Sequence, residues 1–76
     1  LYLEKDIKDI DDYAFYGCTG LSNIYCKALT PPNLGNATFG NISSDYIIYV
    51  PSESVEIYKS AWSSYASHIE EYDFAE

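Results

Sequence analysis

One short pattern recurs along the chain and limits what it can fold into. An apolar–Tyr–apolar triplet stands at Leu1, Tyr2 and Leu3, again at Ile24, Tyr25 and Cys26, and a third time at Ile48, Tyr49 and Val50. The step from Tyr2 to Tyr25 is nearly the same as the step from Tyr25 to Tyr49. That second step, applied to Ile10 and Phe15, lays them on Leu34 and Phe39. A period of this length, about 23–24 residues, belongs to coils in which each turn is one supersecondary unit, and leucine-rich repeats fall in that range. Alternation of period two predicts a short strand at each triplet. Leu1 and Leu3, Ile24 and Cys26, and Ile48 and Val50 are expected to point inward. Tyr2, Tyr25 and Tyr49 are expected to point outward.

Turn-forming residues follow each strand: Lys5 and Asp6, then Thr30 through Asn33, then Pro51 and Ser52. The return path carries Ile7, Ile10, Ala14, Phe15, Cys18 and Leu21. Residues 12–16 are expected to form about one helical turn, stopped by Gly17, and Gly20 to allow the turn into the next strand. Ala37, Thr38 and Phe39 repeat this, stopped by Gly40. The fold class expected is an α/β solenoid, a right-handed leucine-rich-repeat coil of short parallel strands over residues 1–50, with a helical C-terminal capping segment over residues 51–76. About two repeats are present, the first cut at its N-terminal edge. Such coils bury their apolar faces only by stacking, and about three units are normally needed. An open Leu1–Leu3 edge is therefore expected to self-associate. A chain that does not start with Met is expected to be a piece of a longer one.

The cap reading comes from a change of pattern after Pro51. Val55, Tyr58, Ala61 and Trp62 are spaced by three or four, which predicts an amphipathic helix. Ser52 is the expected N-cap, and Glu53 and Glu56 suit the positive end of the helix dipole. Tyr65 and Ala66 are expected in a second short turn, and residues 69–74 in a closing strand. Trp62 is expected to anchor the cap in the core.

These blocks resemble a known family. The segment with Ile10, Ala14, Phe15, Cys18 and Leu21 resembles the I-x-x-x-A-F-x-x-C-x-x-L core of BspA-like leucine-rich repeats. Residues 28–34, followed by residues 48–59, Ala61 and Trp62, are similar to that family's C-terminal capping unit. Thr38 and Ile42 depart from its Ala and Cys. The resemblance implies a secreted or cell-surface protein, typically bacterial, associated with adhesion and with binding of host proteins. It implies no catalytic residues.

The remaining residues exclude more than they assign. Twelve acidic against four basic residues give a net charge of −8, which disfavours nucleic acid and anionic lipid as partners. No apolar run approaches the ~20 residues of a membrane span, so no membrane insertion is expected. Cys18 and Cys26 lack metal-ligand spacing, so they are expected to be buried free thiols, with a disulfide between them as the alternative. His68 has no nucleophile in an elbow and is expected at the surface or packed in the cap. Asp6, Asp9, Asp11 and Asp12 lack a calcium-loop pattern and are expected on a solvated convex face, with a weak calcium site as the alternative. Asn36 and Asn41 open glycosylation sequons, which matter only in a host that glycosylates. No cofactor, metal site or enzymatic activity is expected. The candidate binding residues are Tyr2, Tyr25, Lys27 and Tyr49, an aromatic column with a cation beside it on the strand face. The expected function is a non-catalytic module that binds a protein or glycan. The alternative is a purely structural cap, with binding located upstream.

Overall fold

The computed structural model describes residues 1–42 and 44–74. Among these residues six strands form: β1 (Tyr2–Leu3), β2 (Asp9–Ile10), β3 (Asn23–Cys26), β4 (Asn33–Leu34), β5 (Ile47–Pro51) and β6 (Ile69–Tyr72). The main sheet runs β1-β3-β5-β6, and β2 pairs with β4 in a second, two-stranded sheet. Every pairing is parallel. An α-helix, α1 (Val55–Ala61), lies between 3₁₀ turns at Ser52–Ser54 and Ser63–His68. The chain is thus a small α/β unit built on parallel strands.

Register follows the sequence spacing. Tyr2 pairs with Tyr25, and Tyr25 with Tyr49. Ile24, Cys26, Ile48 and Val50 have no exposure, so the alternation places the apolar residues of these triplets in the core. Leu3 and Ile69 complete this inner face, at 6% and 3% exposure. Leu1 departs from the expectation and is 41% exposed. It precedes β1, which pairs only with β3 among the described strands.

The return segments contain turns and the short β2–β4 ladder. Residues 12–17 form no helix; they fold through Ala14→Asp11, Tyr16→Tyr13 and Cys18→Phe15 amide-to-carbonyl bonds. Tyr13 has a positive φ of 57°, and Ala37, its equivalent in the next unit, has 50°. Gly17 has 76°, and its equivalent Asn41 has 54°. A positive φ is costly for Tyr or Ala, so its recurrence needs a local stabiliser. A ladder between the two turns supplies it: the amides of Tyr13, Phe15 and Gly17 donate to the carbonyls of Asn36, Thr38 and Gly40, at 2.9–3.0 Å. Phe15 and Phe39 stack at 5.5 Å with rings 7° apart. Gly17 and Asn41 thus share the left-handed backbone with Tyr13 and Ala37, whereas Gly20 and Gly40 do not.

The C-terminal segment closes the core from one side. Tyr58 and Trp62 are 0% and 2% exposed, and their rings meet edge to face at 4.9 Å. Trp62 also packs on Phe39 at 6.0 Å, and its indole N–H donates to the Pro32 carbonyl at 3.0 Å. Ser52 does not cap α1, because a 3₁₀ turn comes first and Ser54 precedes the helix. Ser54 makes no side-chain cap either; its hydroxyl donates to the Leu29 carbonyl at 2.7 Å and so ties the helix start to the preceding unit. The closing strand forms as β6, but it arrives early. Ile48 pairs with Ile69, where the period of the earlier units would have brought Tyr72. His68 precedes the strand, stacked on Tyr46 at 3.9 Å with Nδ1 3.0 Å from the Tyr46 carbonyl. No helix among the described residues is long and apolar enough to cross a membrane.

Both thiols are free, but only Cys26 is buried. Cys18 is exposed, contrary to the sequence expectation, because it follows the left-handed Gly17 on an open turn. Burial pushes the Cys26 thiol up, against the opposing effect of hydrogen bonds with Tyr58 and Ala28. A thiol reagent is therefore expected to modify Cys18 rapidly in the native protein and Cys26 only after denaturation. One fast equivalent in a colorimetric thiol titration, rising to two in denaturant, is the expected reading.

A second expectation concerns alkaline pH. The Tyr58 hydroxyl donates to the Ala28 carbonyl at 2.6 Å and lies 3.1 Å from Cys26 Sγ. Desolvation raises the pKa values of Tyr58, Cys26 and Tyr46 in the folded chain. Each group then binds its proton more tightly folded than unfolded. Their contribution to stability is whole below the ordinary values of 9.0 for the thiol and 10.0 for the phenols, and is lost as pH rises through the folded values. The urea midpoint should fall on going from neutral pH into that range, and fall less steeply in Tyr58→Phe.

Candidate functional site

The parallel register lines up the outward residues of the triplets. Tyr2 and Tyr25 meet edge to face at 4.9 Å, and Tyr25 stacks on Tyr49 at 4.9 Å with rings 13° apart. That separation matches the ~4.8 Å between strands, so the rings follow the backbone that carries them. The column expected from alternation is therefore present on the outer face of the main sheet. Tyr2 is 58% exposed, while Tyr25 and Tyr49 are half-buried between their neighbours. Partial desolvation and neighbouring phenols hold the Tyr25 hydroxyl above its ordinary value; desolvation is the larger cause, followed by Tyr49, Tyr2 and Tyr72.

Three residues that the sequence reading left out of the candidate site, Tyr72, Phe74 and Glu70, belong to the same surface. Tyr72, at the end of β6, folds back to 5.3 Å from both Tyr25 and Tyr49, and Phe74 packs on Tyr72 at 4.8 Å. Glu70 sits opposite Tyr49 in the register and continues the tyrosine row by one strand. The signal for them was present in the expected closing segment, residues 69–74. The shortened last step hid it, since repeating the step from Tyr25 to Tyr49 places Asp73 rather than Glu70 beside Tyr49.

Lys27 has partners inside the chain. Its ammonium lies 5.6 Å from the centre of the Tyr2 ring and 3.9 Å from a Glu4 carboxylate oxygen. Next to this pair, at the C-terminal ends of the strands, is a cleft of about 590 Å³. Leu29, Pro51, Tyr72 and Phe74 line it with apolar surface, and Glu4 and Glu53 add carboxylates. Leu29 is 57% exposed there.

The acidic cluster has structural roles. Asp6, Asp9, Asp11 and Asp12 are exposed, yet two of them tie the units together. Asp9 accepts from the Asn33 side-chain amide at 3.0 Å, and Asp12 accepts from the Asn36 backbone amide at 2.7 Å. No group of three or more potential metal ligands occurs among the described residues. Thr38 of the first sequon is fully buried, with its hydroxyl donating to the Gly35 carbonyl at 3.0 Å. The second sequon ends at Ser43, which lies outside the described residues. The surface thus offers flat aromatic faces, phenolic hydroxyls and flanking carboxylates. No family model matches the chain, and no curated protein or solved structure is significantly similar to it.

Proposed function

We propose that the chain is a non-catalytic binding module of the leucine-rich-repeat solenoid type, with the strand-face tyrosine row as its contact surface. The row itself carries the reading. Tyr2, Tyr25 and Tyr49 are ordered against one another at 4.9 Å on a parallel sheet, so binding would immobilise little that is not already fixed. Tyrosine rings supply broad, rigid contact area to proteins and glycans alike. The solenoid part rests on the near-constant register from β1 to β5. It rests also on the left-handed residues that recur in step with it, Tyr13 with Ala37 and Gly17 with Asn41. The resemblance to BspA-like repeats adds a secreted or cell-surface setting and an adhesive role to the proposal. On this reading β1, which pairs only with β3 among the described strands, offers an open edge to a second chain.

A second reading, a purely structural cap, draws on the engagement of Lys27 by Glu4 and Tyr2 within the chain, where a binding face is expected to leave it free, and on the chain's own tail. Tyr72 and Phe74 extend the aromatic cluster on Tyr25 and Tyr49 from the chain's own tail. Truncation separates the two. Tyr25→Ala removes three ring contacts of a half-buried side chain and should cost about 1 kcal/mol of stability. On a binding face it should also weaken a partner selected from extracellular matrix proteins and glycans by about 2 kcal/mol. Urea unfolding and titration calorimetry check the two effects. A large loss of stability with unchanged binding would assign the row to the cap.

A further inference from the structure

Within the binding reading, on which this inference rests, the chemistry of the row narrows the partner. We propose that the tyrosine row and Glu70 take the arginine or lysine side chains of an extended basic polypeptide segment.

The first observation is internal. The chain already places one ammonium on this surface: Lys27 lies 5.6 Å from the Tyr2 ring centre and 3.9 Å from Glu4. A ring face and a carboxylate together form a cation seat, because both present negative potential and the ring face asks for no dehydration of a second charge. The far end of the row repeats these two parts without an ion-paired lysine: Lys59 lines a cleft with Glu70 and Glu71 but makes no ion pair with Glu70 among the described residues. Tyr49 stands beside Glu70 in the β5–β6 register, and Glu70 has no ion pair among the described residues. Tyr72 stands over Tyr49 at 5.3 Å and adds a second ring to that end. The row is thus filled by the chain's own cation at β1 and open to another at β6.

Charge complementarity points the same way. The chain carries a net charge of −8 with only four basic residues, and Lys27 is already engaged beside the row. Such a surface attracts and orients a cationic partner and repels an anionic one. An extended segment also suits the spacing. Its side chains project to one face every other residue, which spans about 7 Å, so successive arginines can reach rings on different strands. A neutral glycan could also stack on the rings and donate hydroxyls to Glu70, but it brings no positive charge to match the acidic surface.

The test uses a short peptide alternating Arg and Gly, the same peptide with citrulline for arginine, and a chitin oligosaccharide, each titrated into the labelled chain with amide NMR. The Arg peptide should shift Tyr25, Tyr49 and Glu70 first, and the citrulline peptide should bind about tenfold more weakly. Glu70→Gln should weaken the Arg peptide about fivefold. Glu71→Gln, in the register row of inward-facing Val50, should change it little. Equal binding of the two peptides at the row, or binding of the oligosaccharide alone, would overturn the cation assignment while the binding face stands. Arg-peptide shifts spread evenly over all acidic residues would overturn it as non-specific attraction. A row that responds to none of the three would overturn both the assignment and the binding reading.

Discussion

Trp62→Ala is expected to unfold most of the chain at room temperature. The indole is 2% exposed and touches Tyr58 at 4.9 Å and Phe39 at 6.0 Å, so it joins the C-terminal segment to the preceding return turn. Truncating a buried Trp costs about 3–5 kcal/mol in transfer free energy and cavity formation. It also deprives the Pro32 carbonyl of the indole N–H at 3.0 Å, and a buried acceptor left alone costs about a further 1–3 kcal/mol. A domain of this size is stable by only about 0.05–0.15 kcal/mol per residue, so the loss is comparable with the whole. Trp62→Phe separates the parts: it keeps most of the ring packing, loses the hydrogen bond, and should lower stability by about 1–3 kcal/mol while still folding. Far-ultraviolet circular dichroism with urea titration reads both. If Trp62→Ala folds with a midpoint near that of the parent, the helix and its 3₁₀ flanks are an appendage and the core lies elsewhere.

The sheet was far more legible in the sequence than the segments between its strands. Strand faces follow from alternation, and alternation is a local property, so Ile24, Cys26, Ile48 and Val50 could be placed inward from the sequence. Trp62 could be placed because helical spacing is also local. The turns were misread because their backbone is fixed from outside. Tyr13 holds φ at 57° while its amide donates to Asn36 in the next unit's turn, and no propensity of Tyr predicts that. Cys18 was misplaced for the same reason, since an apolar residue on a turn is buried only if the turn faces the core. Ser52 was a reasonable cap by residue type. Pro51 at φ −58° and ψ 139° instead leads into a 3₁₀ turn, which delays α1 to Val55.

The candidate surface was legible to the same extent. Tyr2, Tyr25 and Tyr49 were found because the same triplet is written out three times, and Lys27 because alternation puts it on the face of Tyr25. Tyr72 and Glu70 were missed because their register depends on how much chain the helical segment consumes, which is a tertiary quantity. The engagement of Lys27 with Glu4 and Tyr2 was missed too, since it depends on side-chain conformation.

Gly35→Ala should be the most damaging glycine substitution in the chain. Gly35 follows β4, and its amide donates to the Ile10 carbonyl at 2.8 Å, continuing the β2–β4 ladder. That close approach leaves no room for a side chain. A Cβ at Gly35 would overlap the Asp12 backbone nitrogen and its carboxylate oxygen, and would come within 2.6 Å of the Asp11 carbonyl carbon. Two of these atoms are backbone and cannot swing aside. The third is the oxygen that accepts the Asn36 amide at 2.7 Å. Relief therefore requires the two return segments to part, which breaks the contact that keeps their turns in step. Overpacking of this kind costs about 1–3 kcal/mol, and more where backbone must move. The expected loss is at the upper end, about 3 kcal/mol. Gly20→Ala is the matched control, since its Cβ meets nothing within 4 Å, and it should leave the midpoint within about 0.5 kcal/mol of the parent. Phe15 and Phe39 stack across the same pair of segments, so in Gly35→Ala their ring resonances should shift along with the loss of stability. A Gly35→Ala chain as stable as the Gly20→Ala chain would mean that the return segments stand farther apart than the β2–β4 pairing requires, and that the main sheet alone sets the stacking.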